Sequence, residues 1–207
     1  MDSTMALLLS DTYKQCHDRM YPQGLTKLVS YWVPRRSMLK KQDKMVFFGL
    51  QAFIKEYLMG YFQTSFFDID EEEIVKQYTD TMNVQIGASN YDVDKIVQLH
   101  RLGYLPLEIR ALPEGTLVTM GIPCIEITNT KEDFAWLVQW IECMLQVELW
   151  KPCCHATIGH MYRNIADYWY NKTTDGLDGA MACADFGMRG MSCIDEAVRC
   201  SAAVSYT

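Results

Sequence analysis

Six consecutive residues, Asp185-Phe186-Gly187-Met188-Arg189-Gly190, hold the types that a flat, phosphate-linked ligand needs. Phe186 offers an aromatic face, and offset stacking on a flat ring is worth about 0.5–1.5 kcal/mol beyond burial. Arg189 presents a planar fork that matches phosphate or carboxylate. Gly187 and Gly190 allow the backbone to turn and to approach a ligand closely. Ser192, with Asp195 three residues later, reads as a capping-box variant that opens a helix, and the free N–H groups at that end favour an anion. The same DFG triplet occurs in protein kinases, but there it requires an upstream glycine-rich loop and an HRDxxxxN segment, and this chain has neither.

Three further segments stand out. Asp11-Thr12-Tyr13-Lys14 is followed by His17 and by Tyr21-Pro22. Phe48-Gly49-Leu50-Gln51 is the second. Leu105-Pro106-Leu107-Glu108-Ile109 runs into Pro113-Glu114-Gly115, Gly121 and Asn129-Thr130. Taken alone, Tyr13 is an ordinary tyrosine, and Arg35-Arg36 with Lys40-Lys41 is a solvated loop. Cys153-Cys154-His155 with His160 invites a metal reading, but adjacent helical cysteines point about 100° apart and a spacing of five does not share a helix face. No metal site is expected.

The elements that must position these residues follow from periodicity. Thr26–Val33 alternates and is rich in β-branched and aromatic types, which predicts a strand. Val46, Phe47, Leu50, Phe53, Ile54, Tyr57 and Leu58 share one helical face, with Gly60 as a stop signal. Helices are expected over 70–82 and over 92–102, the latter closed by Gly103. Strands are expected over 105–112, 116–118 and 124–128, with Pro113-Glu114-Gly115 as a turn. Leu137, Trp140, Ile141, Met144 and Leu145 mark an amphipathic helix, and 155–170 a second long one. Thr173–Gly179 is a polar loop. Ala180–Ala184 is a run of small apolar residues, as in a strand buried on both faces, and it delivers Asp185 and Phe186 at its C-terminal end, where active sites of parallel sheets and barrels collect. A new strand is expected to begin at Ser205-Tyr206-Thr207. The expected architecture is an α+β N-terminal domain over 1–150, a bridging helix and loop over 151–179, and over 180–207 the first βα unit of an incomplete α/β barrel.

Composition narrows the function classes. The chain has 207 residues, 49% of them hydrophobic and 22% charged, as in a globular protein. A net charge of −7 argues against a nucleic-acid partner, which requires a basic surface. No apolar run approaches the length of a bilayer span and Met1–Ser10 lacks the pattern of a signal peptide, so a cytoplasmic protein with no membrane partner is expected. The eight cysteines include no CxxC pair. Cys124, Cys143 and Cys183 lie in apolar patterns and read as reduced core residues.

In their order and separation the four segments resemble the nicotinamide phosphoribosyltransferase family of type II phosphoribosyltransferases, over nearly the whole chain. The resemblance implies that Phe186 stacks on a pyridine ring and that Tyr13, from a partner subunit, covers its other face. It implies that Arg189, together with Arg35 of the partner, contacts phosphate groups of the ribosyl donor or product, and that Asp11 holds the N-terminal segment in the shared site. Asp185 and Arg189 are the residues expected to serve the reaction itself. That reaction is attack of the nicotinamide nitrogen on phosphoribosyl pyrophosphate to give nicotinamide mononucleotide, with Mg²⁺ carried by the pyrophosphate and ATP as a candidate co-substrate. Positioning and charge stabilisation, rather than a protein nucleophile, would carry it.

Three positions depart from the family pattern. Ala184 stands where histidine usually precedes DFG, Met188 replaces a more commonly aromatic or small residue, and Val198-Arg199-Cys200 occupies a stretch that tends to be glycine-rich. A closed barrel needs about 200 residues or more, so the chain reads as the N-terminal portion of such an enzyme and is expected to be inactive in isolation. The expected partner is a second copy in a homodimer or a C-terminal half. Two alternatives stay open: a catalytically inactive dimerisation fragment, and a nicotinate-specific relative.

Overall fold

The computed structural model describes residues 4–88, 90–175 and 179–207. In chain order the main elements are a 3₁₀ helix Thr12–Met20, strands β1 (Val29–Trp32) and β2 (Lys44–Val46), helix α1 (Leu50–Phe53) continuing as π-helical turns Ile54–Tyr61 and Gln63–Phe67, helices α2 (Glu71–Gln85) and α3 (Asp94–Leu102), strands β3 (Leu107–Ala111), β4 (Leu117–Thr119) and β5 (Ile125–Asn129), and helices α4 (Leu137–Trp140), α5 (Glu142–Thr173) and α6 (Ile194–Tyr206). Two compact units interleave along the chain. One takes in residues up to Tyr31, Gln51–Arg110 and Ile125–Gln146. The other takes in Trp32–Leu50, Ala111–Cys124 and Val147–Thr207.

The first unit is built on a three-stranded sheet of order β1-β5-β3. Asn129, buried at the end of β5, fixes the chain entering β1: its carbonyl accepts the Leu28 N–H at 2.9 Å and its amide donates to Thr26 O at 2.8 Å. Ile74, Tyr78 and Met82 of α2, spaced by four, are buried, as are Ile96 and Leu99 of α3. Gly103 ends α3 in the left-handed region, at φ +77°, where a side chain would be strained. The buried Trp140 indole donates to Leu7 O at 2.9 Å, tying the N-terminal 3₁₀ turn Ala6–Leu8 to α4.

In the second unit β2 pairs antiparallel with β4, Met45 opposite Val118. Helix α5 packs beside β2: the Val46 N–H donates to Thr157 Oγ1 at 3.0 Å, and the buried Cys153 thiol donates to Phe48 O at 3.2 Å. Val46, Ala156 and Ala203 form a small core with Phe48 against it. Two ion pairs, Lys151 with Glu196 and Arg199 with Glu148, fasten α6 to α5. Among the described residues no helix is long and apolar enough to cross a membrane.

Several sequence expectations are corrected here. Gly60 does not stop the helix begun at Leu50; the burial of Tyr57, Phe62 and Phe66 carries widened turns on to Phe67. The first of the two expected helices is split at Ile141: α4 holds Leu137 and Trp140, while the 32-residue α5 takes in Met144, Leu145 and the whole of the second and runs through Pro152. The burial of Leu149, Cys153 and Ala156 offsets the roughly 3 kcal/mol that an interior proline costs. The strand expected over Ala180–Ala184, and with it the first barrel βα unit, is not formed. Gly179–Met181 is a 3₁₀ turn, and Ala182–Phe186 is irregular and exposed. Small residues have little preference for strands, and among the described residues no neighbour supplies the ladder of hydrogen bonds. Ser205-Tyr206 is helical, not the start of a strand. Cys183 is exposed and Cys143 half-buried, so of the three cysteines read as core only Cys124 is. Part of the expected loop Thr173–Gly179 lies outside the described residues.

Candidate functional site

Asp11 and Tyr13 belong to the first unit; Arg35, Asp185, Phe186 and Arg189 belong to the second. Each group is built differently.

Asp11 is extended and leads into the 3₁₀ helix Thr12–Met20. Its N–H donates to Cys143 Sγ at 3.3 Å, and Ser10 Oγ donates to Trp140 O at 3.4 Å. Lys14 is buried and paired with Glu142. Gln15 is buried and accepts the Tyr78 phenol at 3.0 Å. Asp18 pairs at 2.8 Å with the buried Lys95, whose ammonium also donates to Gln15 O and lies 5.3 and 5.2 Å from the ring centres of Trp136 and Trp140. The Tyr21 hydroxyl bonds Gln139 at 3.0 Å. Alternate sides of the short helix are thus pinned, and Tyr13 projects from it 57% exposed. Its ring meets His17 edge-on at 5.7 Å.

Electrostatics follow burial. Burial works to lower the Lys14 pKa, but the hydrogen bond to Glu142, with the neighbouring Tyr13 phenol adding to it, wins and holds it above the ordinary value. Burial raises the Tyr78 phenol well above the usual tyrosine range, with the Asp18 charge adding to it. Lys14, Glu142 and Lys95 were not singled out from the sequence as site residues; lysines inside an otherwise apolar frame are recognisable only once burial is known.

The second group centres on the 3₁₀ turn Gly187–Gly190. Asp185 Oδ1 accepts the Gly187 N–H at 2.8 Å, and Oδ2 accepts the Ser201 hydroxyl at 3.3 Å, so this carboxylate caps the turn and ties it to α6. A Cβ on Gly187 would stand 2.9 Å from Asp185 Oδ1, so a side chain there would displace the carboxylate that caps the turn. Gly190 has open space around it and neither glycine takes a positive φ, so the turn itself does not demand them. Helix α6 opens at Cys193, and the carboxylate that reaches back is Glu196, which accepts the Ser192 N–H at 2.6 Å, instead of Asp195. Hydrogen bonding to Lys151, then to the Ser192 N–H, holds the Glu196 carboxyl below its usual pKa.

Phe186 is 72% exposed, and Arg189 is exposed. Neither side chain makes a hydrogen bond, ion pair or ring contact with another described residue. A cavity of about 780 Å³ in the same unit is lined by His155, Arg163, Ala184, Asp185, Ser205 and Thr207 among others; Phe186 and Arg189 lie outside its wall. Arg35 is exposed in the irregular chain after β1. Among the described residues no three His, Cys, Asp or Glu side chains gather as a metal cage would require.

The chain is similar to proteins of one named family. A sequence profile described as "Nicotinamide phosphoribosyltransferase, N-terminal domain" matches residues 5–109, just over half of the chain. A protein named nicotinamide phosphoribosyltransferase from Acinetobacter baylyi is 38% identical over 195 residues, covering 91% of this chain and 39% of that protein. One of the same name from Xanthomonas campestris pv. campestris is 30% identical over 194 residues, covering 92% of this chain and 39% of its own. The chain therefore spans about two fifths of the length of these relatives. The crystal structure of human nicotinic acid phosphoribosyltransferase superposes with a TM-score of 0.63 at 18% identity, covering 96% of this chain and 34% of that one, a likeness of fold. With its mixed helix-and-strand fold and its profile match together, the chain belongs to the nicotinamide phosphoribosyltransferase family and carries that family's N-terminal domain.

Proposed function

We propose that this chain supplies two parts of a site that transfers a phosphoribosyl group from phosphoribosyl pyrophosphate to nicotinamide, as a step of NAD salvage. The pyridine nitrogen attacks the anomeric carbon, the bond from that carbon to the pyrophosphate oxygen breaks, and pyrophosphate leaves with the electron pair. The carrying observation is an aromatic ring and a guanidinium left exposed three residues apart, on a turn that the Asp185 carboxylate fixes. Phe186 takes one face of the pyridine ring and Tyr13 of a second copy the other. Arg189 and Arg35 meet phosphate oxygens, where a fixed fork favours the developing charge of the leaving group. Asp185 shapes the turn and Asp11 sets the entry to the Tyr13 helix. Mg²⁺ would arrive on the pyrophosphate, with most of its shell supplied by phosphate and water. No step above is assigned to it.

The test joins this chain to the remaining length of the Acinetobacter baylyi relative and measures mononucleotide formation. Phe186→Ala is expected to raise the KM for nicotinamide about tenfold, roughly 1.4 kcal/mol of lost stacking and burial. An unchanged KM would remove Phe186 from the ring pocket. A second reading, an interaction module without turnover, is favoured by the exposed apolar stripe Trp150, Ile158, Tyr162, Ile165 and Trp169 on α5. A joined protein that forms stable oligomers yet makes no mononucleotide would select it.

A further inference from the structure

Tyr13 and Lys14 are neighbours with opposite fates: the tyrosine ring is 57% exposed and the lysine 4%. Burying an ammonium is costly unless it is paired, and a methionine of similar shape would fill the same space without that cost. The lysine therefore needs a reason beyond packing. Its ammonium is paired with Glu142 at the start of α5, and it lies 5.0 Å from the centre of the Tyr13 ring. The backbone on either side is held independently, through the Asp11 N–H on Cys143 Sγ and through Gln15 on Tyr78. What Lys14 adds is a contact on the Tyr13 side chain itself. Apart from its edge-on contact with His17, the exposed phenol has no other described ring or charge to hold it in one rotamer, and ordering a rotamer-rich side chain at the moment of binding costs affinity.

We infer that Lys14, clamped by Glu142, is a positioning residue that presets the Tyr13 ring as one wall of the pyridine pocket. The inference rests on the stacking role proposed for Tyr13 and adds the device that orients it. Glu142 has a second effect. The product ring is a pyridinium, and an unpaired ammonium against the stacking partner would repel it; the carboxylate cancels that charge. Loss of Glu142 should therefore weaken the cationic product more than the neutral substrate, a difference that a purely structural ion pair would not create.

Two measurements test this. First, the 207-residue chain is labelled with 3-fluorotyrosine, and the Tyr13 ¹⁹F line is assigned by its loss in Tyr13→Phe. Lys14→Met is expected to move that line to the position of free fluorotyrosine, while Lys14→Arg keeps it displaced. Second, in the joined enzyme Lys14→Met should raise the nicotinamide KM about tenfold with kcat and the donor KM within about twofold, and Glu142→Gln should weaken nicotinamide mononucleotide binding several-fold more than nicotinamide binding. Should Lys14→Met not fold, Glu142→Gln still decides, because the half-exposed glutamine keeps an amide oxygen that accepts from the buried Lys14 ammonium while removing the charge. An unmoved ¹⁹F line together with an unchanged KM overturns the inference while the stacking role stands. A Tyr13→Ala enzyme with an unchanged nicotinamide KM overturns the stacking role, and the positioning role with it.

Discussion

The segment from Asp11 to Tyr21 and the segment from Asp185 to Gly190 present the same chemistry, an aromatic ring with a basic group nearby, yet they are held in opposite ways. The first is tied down by side chains far along the sequence: Tyr78, Lys95, Gln139 and Glu142 all bond to it. The second is held by its own carboxylate and by one hydroxyl sixteen residues on. Phe186 and Arg189 take nothing from the rest of the described chain. A ring 72% exposed gains burial only from a ligand or from further protein. The first segment is preorganised by its fold, and the second offers groups whose order must come from what binds them.

The comparison is broken most directly at Asp18. Asp18→Ala leaves the Lys95 ammonium buried between two tryptophans without its carboxylate, and losing one partner of a buried pair costs about 3 kcal/mol or more. Urea unfolding should show that loss. A change below about 0.5 kcal/mol would mean the first segment is no better anchored than the second.

The next largest effect is pH-dependent. The folded pKa of Tyr78 is raised by burial, so its contribution to stability is complete below the unfolded value near 10 and declines as pH rises past it toward the folded value. At one pH unit above the unfolded value the loss attributable to Tyr78 is about 1.4 kcal/mol. Tyr78→Phe removes this dependence and, by orphaning Gln15 Oε1, costs about 1–2 kcal/mol at neutral pH. Stability curves of both proteins between pH 7 and about 11 would separate the terms. Parallel curves would show that the Gln15 contact does not anchor the segment.

Much of the first unit was readable from periodicity. Ile74, Tyr78 and Met82 recur at four-residue spacing and are buried together, and Gly103 closes α3 as its position suggested. The order of the four motif segments carried the family. What the sequence could not show depends on partners distant along the chain. Gly60 and Pro152 are local breakers, and tertiary burial overrides both. Ala180–Ala184 failed in the other sense: a buried-strand composition makes a strand only where neighbours pair with it. Lysine is almost never buried unpaired, and nothing local to Lys14 or Lys95 announces Glu142 or Asp18.

The smallest effect sharpens the comparison from the other side. Phe186→Ala removes a large ring, and in a core such a change costs about 3–5 kcal/mol. Here the ring touches no other aromatic among the described residues and is mostly in solvent, so the unfolding free energy of the 207-residue chain should change by no more than about 0.5 kcal/mol. The same substitution should cost about tenfold in nicotinamide KM once the joined enzyme provides a ligand. A residue neutral for folding and costly for binding is one whose burial is deferred to the complex. If Phe186→Ala instead destabilises the chain by several kcal/mol, the ring is already packed in solution, and the turn from Asp185 to Gly190 is as preorganised as the Tyr13 helix.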